Sequence, residues 1–494
     1  MENIYDVAIV GAGIVGVSVA RRLSRYFLRI AILEKEPDVA MGATKANSAI
    51  VHGGYAESSE TLRGRLCYQG RRQFAKLDSE LHFGFKETGS LVFTTNHGDR
   101  PKLEKLLENG KRSGLTDLRI IDGAQALQIE PNLNPDVCWA LYCRGAGICS
   151  PYEMAIAMAE NAVRNGAELY LNEPVNDIQK PDDTFELTTP RQTIHARYVI
   201  NCAGIGAAEV SSMTAPASFE IQPRTGEYIL MVRGSGKVLN TVVFQMPTPM
   251  GKGILVTPTI HGNLLLGPDA IDEPGTFSRS THADRLAEVY FHARHTTGKM
   301  NIKQFIRSFA GVRAVATGDD FIIGPSGVKG FIQAAGIQSP GLTSSPAIAD
   351  MVTDILREEG LALNEKESYD PNRKPIIDIG KELLPLKEAE KLVALPEGDT
   401  RLVCRCEQVA EGVILDALHR GIPVTTVDGV KRRTRAMTGY CQGDFCRPRV
   451  VKLMQRECGN TVSPMTDVEM RGDTRVTKEE LVEYVAGLGE TDKK

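Results

Sequence analysis

The chain of 494 residues has one tryptophan, 6% aromatic residues and 42% hydrophobic ones. No apolar run approaches the roughly 18 residues that a membrane span needs. Neither sign of charge dominates: 58 basic against 62 acidic side chains leave a net charge of −4, so nothing favours nucleic acid as a partner. The first apolar strand begins within a few residues of Met1, leaving no room for a charged and then apolar leader. A secretory signal is therefore not expected, and the reading is cytoplasmic. In a reducing compartment the ten cysteines do not read as structural disulfides. A second glycine fingerprint after a strand is also missing, so the chain reads as holding one dinucleotide and no nicotinamide domain of its own.

What is present starts at Tyr5. Val7 to Val10 is a short β-branched run suited to a buried parallel strand, and Gly11, Gly13 and Gly16 complete a G-x-G-x-x-G. The spacing predicts a helix over Val17 to Tyr26 and a second strand over Ile30 to Leu33 that ends on Glu34. Gly11 permits the tight turn, Gly13 lets backbone approach a pyrophosphate, and Gly16 allows close helix–strand packing. The helix N-terminus then offers unpaired N–H groups to phosphates. Glu34 is placed to accept from a ribose hydroxyl, and an acid there disfavours a 2′-phosphate. The ligand is FAD or NAD.

Residues 37–55 form a loop rich in small side chains, with His52 and Tyr55 its bulky polar groups near the end. Helices are expected over Thr61 to Leu81, Pro101 to Ser113 and Ser150 to about Asn165, with strands at Ser90 to Thr95 and Glu168 to Leu171. Tyr198 to Gly206 reads as another apolar strand ending in glycines, so the nucleotide domain is interrupted by insertions. From 217 to 320, strands at Glu227 to Val232, Gly253 to Thr257 and Asn263 to Leu266 suggest an antiparallel sheet. Arg224, Lys252, His261, Arg307 and Arg313 supply cations there. Arg313 stands out because Phe309-Ala-Gly-Val-Arg-Ala-Val places a guanidinium in a small, apolar run, where it needs an anionic partner. A Gly/Ser loop then feeds a helix expected from Ala347 to about Glu359, a natural acceptor of developing negative charge.

Prolines at 371, 375, 385 and 396 mark a domain boundary. Beyond it, Cys404-Arg-Cys406 and Cys441-Gln-Gly-Asp-Phe-Cys446 make two close thiol pairs on either side of a helix expected over Val409 to Arg420. Four thiolates in a reducing compartment mean zinc or iron–sulfur, and C-x-C is too tight for a zinc finger. A one-dinucleotide oxidoreductase also needs an exit for electrons. Lys431, Arg432, Arg433 and Arg435 read as a solvated basic face, suited to offset a cluster's charge or to dock an acidic partner. The other six cysteines show no ligand spacing. Thr477-Lys-Glu-Glu480 is a capping box for a last short helix.

Residues 1–360 resemble the FAD-dependent oxidoreductases of the D-amino-acid oxidase and glycine oxidase superfamily. The resemblance is carried by the glycine fingerprint, Glu34, Ile50-Val-His-Gly-Gly54, Phe309-Ala-Gly-Val-Arg313 and Gly336-Ile-Gln-Ser-Pro-Gly-Leu-Thr-Ser. Pro223-Arg-Thr-Gly-Glu-Tyr228 and Met250-Gly-Lys-Gly-Ile-Leu-Val-Thr-Pro258 bring it nearest to anaerobic-type glycerol-3-phosphate dehydrogenases and 2-hydroxyglutarate dehydrogenases. Residues 401–455 resemble the 2Fe–2S domain of bacterioferritin-associated ferredoxins, with four residues inside the second cysteine pair in place of two. The expected fold is α/β. A Rossmann-like FAD-binding part (about 1–90, 145–216 and 321–360, within an oxidoreductase unit of 1–375) is interrupted by an α+β substrate part (about 91–144 and 217–320). A linker at 376–400, a small helical 2Fe–2S domain at 401–458 and a tail at 459–494 complete it.

The resemblance implies FAD contacts from Gly11, Gly13, Ile14, Val15, Gly16, Glu34, Lys35, Thr44, Asn47, Ser48, Val175, Ala203, Gly204, Gly311, Gly341, Leu342 and Thr343. It implies substrate contacts from Tyr55, Arg224, Tyr228, Lys252, His261 and Arg313, and a cluster on Cys404, Cys406, Cys441 and Cys446. Arg313 would anchor the anionic group of a secondary alcohol. His52 is the candidate base, with a structural or flavin-orienting role as its alternative. Three functions follow: a glycerol 3-phosphate dehydrogenase, the same machine acting on a 2-hydroxy acid or amino acid, or an electron-transfer subunit. In each case the partner is an electron carrier or flavoprotein.

Overall fold

The computed structural model describes residues 4–246, 253–272, 278–459 and 462–491. Tyr5–Val10, buried on both faces, pairs in parallel with Ile30–Glu34 on one side and Thr193–Asn201 on the other. Phe331–Ala335 adds in parallel beyond Val199, and Glu168–Leu171 closes the opposite edge. Such continuous apolar strands need cover on both faces. On one face the helices Ile14–Leu23, Pro151–Arg164 and Gly341–Glu358 provide it, sharing one apolar core with the strands.

The glycine fingerprint works by absence of side chains. Gly11 sits at φ +103°, and a Cβ on Gly16 would lie 2.0 Å from the Gly11 carbonyl oxygen. Helix and turn therefore touch through backbone. The helix begins at Ile14, earlier than the sequence spacing predicts, and ends at Leu23.

A second, nine-stranded sheet stands over the first. Its spine is Ile221–Met231 against Phe305–Ala316, antiparallel over their whole length. Strands from residues 90–143 join it through Val242–Gln245, which runs parallel to Ser90–Thr94, the one departure from the antiparallel expectation. The two sheets meet where Gly311 faces the loop at 43–48: a Cβ on Gly311 would come 2.0 Å from the Ala46 carbonyl oxygen.

Three helix expectations change. Thr61 to Leu81 is two helices, Leu62–Arg71 and Phe74–Leu81. The helix expected from Ala347 begins at Gly341 and carries Pro346 inside it; the Leu342 carbonyl, which a residue with an N–H at 346 would have bonded, accepts the Ser345 hydroxyl at 3.0 Å. The last helix is Lys478–Thr491, with Thr477 and Glu480 capping each other, and its Leu481 is fully buried in the core of the second sheet. The tail is part of the fold.

Cysteines 404–446 belong to a small body with its own apolar core, built from the helices Glu411–Leu418, Val427–Thr434 and Arg447–Cys458. The basic run is where the structure most departs from the sequence reading. Arg432 and Arg433 are buried, not solvated, and both bond the carboxylate of Asp38 in the first domain at 2.7–2.9 Å. Arg435 is buried on Glu407 at 3.0 Å. Arg432 and Arg433 clamp the small body onto the rest of the chain, since a buried guanidinium must find an anion, whereas the Arg435 pair lies within that body. The charges of Arg433 and Arg432 hold Asp38 well below the usual carboxylate range despite its burial.

Candidate active site

A cavity of about 2520 Å³ runs from the glycine turn, between the two sheets, to the cysteine-bearing body. At its nucleotide end Gly13 has no side chain to cap the helix, and a Cβ there would meet only Thr44 Oγ1, at 3.4 Å. Thr44 takes the Ile14 N–H at 2.9 Å, leaving the following amides facing the cavity. Glu34 accepts from the Ala12 and Glu36 N–H groups at 2.7 and 3.0 Å. Burial pushes its carboxyl up to about 7. This is a cradle for a dinucleotide: bare backbone for phosphates and a buried acid for a ribose.

Of the expected cofactor contacts, Gly11, Gly13, Ile14, Val15, Glu34, Lys35, Thr44, Asn47, Ser48, Val175, Ala203, Gly204, Gly311, Gly341 and Leu342 line this cavity. Gly16 and Thr343 lie behind its wall. Gly16 is a packing residue, and the buried Thr343 hydroxyl accepts the His52 N–H at 2.9 Å and donates to the Ile50 carbonyl at 3.3 Å. Thr343 thereby ties the strand Ile50–Val51 to the start of the helix Gly341–Glu358. No side chain caps that helix either; the Gly341 N–H goes to the Gln338 carbonyl at 2.6 Å, and the Leu342 amide that follows it is left for negative charge.

Farther in, alternate residues of Phe305–Ala316 face the cavity, among them Arg307, Phe309, Gly311 and Arg313. Among the described residues Arg313 has no carboxylate partner. It neighbours the buried Tyr228 hydroxyl, which Ser48 also reaches, and Tyr228 stacks on Phe309 at 4.7 Å. His52 lines the same space, its ring 5.9 Å from Phe244. Tyr55 is buried with its hydroxyl 3.1 Å from Ser90 Oγ.

The other expected cations are differently engaged. Arg224, directly opposite Arg313, is paired with Asp272 at 2.5 Å on the rim. His261 sits 3.1 Å from Glu153 near Arg435, and burial lowers its pKa. It serves the seam with the cysteine body. Lys252 lies outside the described residues.

None of the ten cysteines, all among the described residues, forms a disulfide. Cys406 and Cys441 bring their sulfurs to 3.5 Å, and Cys404 lies in hydrogen-bond reach of Cys446. Among the described residues no three acid, histidine or cysteine side chains converge as a mononuclear metal would require. Two thiol pairs instead suit a two-iron cluster, in which each iron takes two thiolates. Sequence reasoning missed Asp38 and Asp467, the acids that seat this body; neither lies in a spacing that marks it. It also missed the exposed Tyr440 and Phe445 beside the cysteines.

Cavity and thiol pairs together define an oxidoreductase with a dinucleotide in its interior and an iron–sulfur centre near its surface. The chain belongs to the FAD dependent oxidoreductase family, whose model matches residues 6–355, and residues 402–456 match a BFD-like [2Fe-2S] binding domain. Its cofactors are accordingly FAD and a 2Fe–2S cluster. It is 42% identical over 468 residues to a glycerol 3-phosphate dehydrogenase of Caloramator mitchellensis, covering 94% of this chain and 96% of that one. An L-2-hydroxyglutarate dehydrogenase of Nematostella vectensis is 27% identical and covers 72% of this chain and 91% of that one. Among solved structures, the L-alpha-glycerophosphate oxidase of Mycoplasma pneumoniae with FAD bound superposes with a TM-score of 0.71. The two are 28% identical, with 76% of this chain and 99% of that one covered.

Proposed function

We propose that the chain oxidises glycerol 3-phosphate to dihydroxyacetone phosphate and passes the electrons through its cluster to a carrier protein in the cytoplasm. The observation that carries this reading is Arg313, a cation facing the cavity with no carboxylate on it among the described residues. The phosphate reading is favoured over a carboxylate because the relative that spans both the flavin part and the cluster domain is a glycerol 3-phosphate dehydrogenase by name.

FAD supplies the two-electron acceptor for the C2 hydride. The residues do the rest. Arg313 and the Tyr228 hydroxyl hold the anionic group, which fixes the direction of the C2–H bond. His52, its main chain pinned by Thr343, takes the hydroxyl proton. The amide of Leu342, at the start of the helix and on the cavity wall, meets negative charge there. A 2Fe–2S centre takes electrons singly, so a one-electron carrier is the natural recipient.

With the basic run spent on the seam, the exit is marked by the exposed aromatics beside the cysteines. Tyr440 and Phe445 are 69% and 76% exposed there, flanking Cys441 and adjoining Cys446. Lys478 lies over the Tyr440 ring at 5.1 Å, and Arg405 and Arg449 are exposed nearby in sequence, as are the acids Asp444, Glu479 and Glu480. Exposed aromatics with Lys478, Arg405 and Arg449 beside them fit a carrier protein.

The test is anaerobic mixing of the yellow holoenzyme with glycerol 3-phosphate, 2-hydroxyglutarate and glycine in turn. Bleaching of the flavin by the first at the lowest concentration is the expected result. Preferential bleaching by either of the others would replace the phosphate reading.

A further inference from the structure

Away from the candidate active centre, the same cavity ends in a seam where three bodies meet. Arg307 comes from the strand Phe305–Ala316, Lys431 from the helix Val427–Thr434, and Arg475 from the tail. All three side chains line the cavity. Their shared counter-charge is Asp428, which Lys431 approaches only to 3.9 Å, too far for a hydrogen bond. Asp428 is further engaged by the Asp467 N–H at 2.7 Å. Arg475 is the least satisfied: its Nε and Nη1 are buried, with no hydrogen-bond partner among the described residues. Among the described residues Arg307 hydrogen-bonds the Gln442 side chain alone, at 3.5 Å.

Asp428 is not alone there: Asp467 acts on all three cations and Asp473 on Arg475. Asp467 Oδ2 holds Lys45 at 2.5 Å and Arg432 at 2.8 Å while its Oδ1 has no hydrogen bond among the described residues, and Asp38 holds Arg432 and Arg433. Asp38, Asp428, Asp467 and Asp473 thus face Lys45, Arg307, Lys431, Arg432, Arg433 and Arg475, leaving about two positive charges unmatched. Buried charge in that state is costly, and groups respond by losing it or by recruiting an ion. Burial and the charge of Arg307 together pull Lys431 down to about 7 and Arg475 down to about 9.

We infer that Arg307, Lys431 and Arg475 form a second anion site, separate from Arg313, that takes a phosphate-class dianion. Two guanidinium forks and an ammonium suit a tetrahedral oxyanion, and a dianion matches the unmatched charge. Because each cation comes from a different body, a bound anion cross-links the substrate sheet, the cluster domain and the tail. Arg307 also touches Gln442, the neighbour of Cys441, so the anion stiffens the loop that carries the cluster. Free phosphate and the phosphoryl group of a phosphate ester share this chemistry. The inference does not depend on which substrate is oxidised.

The experiment follows thermal unfolding of the FAD- and cluster-loaded protein with inorganic phosphate against chloride, at equal pH and ionic strength. A saturable rise of a few degrees is expected in the wild type and in Arg313→Ala, and its loss in Arg475→Gln and in Lys431→Gln. Lys431→Gln stands alone if the arginine variant does not fold. Three results overturn the site. They are no rise in the wild type, a rise abolished by Arg313→Ala but kept by Arg475→Gln, and loss of FAD from Arg475→Gln, which would assign these cations to the dinucleotide. Glycerol 3-phosphate added to Arg313→Ala separates the sources: an equal rise means that esters are accepted, and none means free phosphate alone.

Discussion

The two cofactor regions are built in opposite ways. The flavin cavity is made by what side chains leave out: Gly11, Gly13, Gly16 and Gly311 let backbone approach backbone or ligand, and buried acids and amides do the holding. The cluster loop is made by four side chains, and little else there is committed, since Tyr440 and Phe445 stand in solvent. A backbone-built site depends on the packing of the whole domain, whereas a ligand-built site depends on single sulfurs. The seam of buried ion pairs joins the two.

The largest expected effect is on the sulfur side. Cys441→Ser should remove the iron and the EPR signal of the reduced protein while substrate still bleaches the flavin, with delivery to a carrier abolished. Stoichiometric zinc in the wild type would instead make this body structural. At the seam, Asp38→Asn leaves Arg432 and Arg433 short of an anion. A loss of about 3–5 kcal/mol is expected for one broken buried pair, read by urea unfolding together with slower reduction of the cluster by substrate. An unchanged midpoint would show the clamp to be dispensable.

On the backbone side, Gly311→Ala forces a methyl against Ala46. About 1–3 kcal/mol of stability should go, with FAD lost on gel filtration where the wild type keeps it. At the exit, Phe445→Ser should leave iron and flavin content untouched. It should weaken the apparent affinity for a carrier protein about tenfold, as for an interface anchor worth about 1.4 kcal/mol.

The smallest effect is a pH dependence. Burial raises the Glu34 carboxyl in the folded state from 4.5 to about 7. The folded protein therefore binds more protons than the unfolded one between those values, so stability of the FAD-free protein should fall as pH rises through that window. Glu34→Gln should flatten the slope; an identical slope in both would place the titration elsewhere.

Much of this was legible in the residues. Strand, glycines, helix and Glu34 are local, because a tight turn and a helix N-terminus are set by a dozen consecutive residues. Arg313 was legible as a charge in an apolar run, and the cysteines by their spacing. The helix at Gly341 was placed six residues late, because the proline at 346 reads as a break although the Ser345 hydroxyl takes up the Leu342 carbonyl that it leaves without a donor.

What the sequence by itself determined is therefore a dinucleotide turn and a four-thiolate site, since each is announced by closely spaced residues. What only the tertiary structure decided is where the charges go. Arg432 and Arg433 look like a solvated face until Asp38, hundreds of residues away, is folded against them. Arg224 counts among the cations for a substrate until Asp272 takes it. An ion pair depends on distance in space and on how much water is excluded, and neither is written in the spacing along the chain.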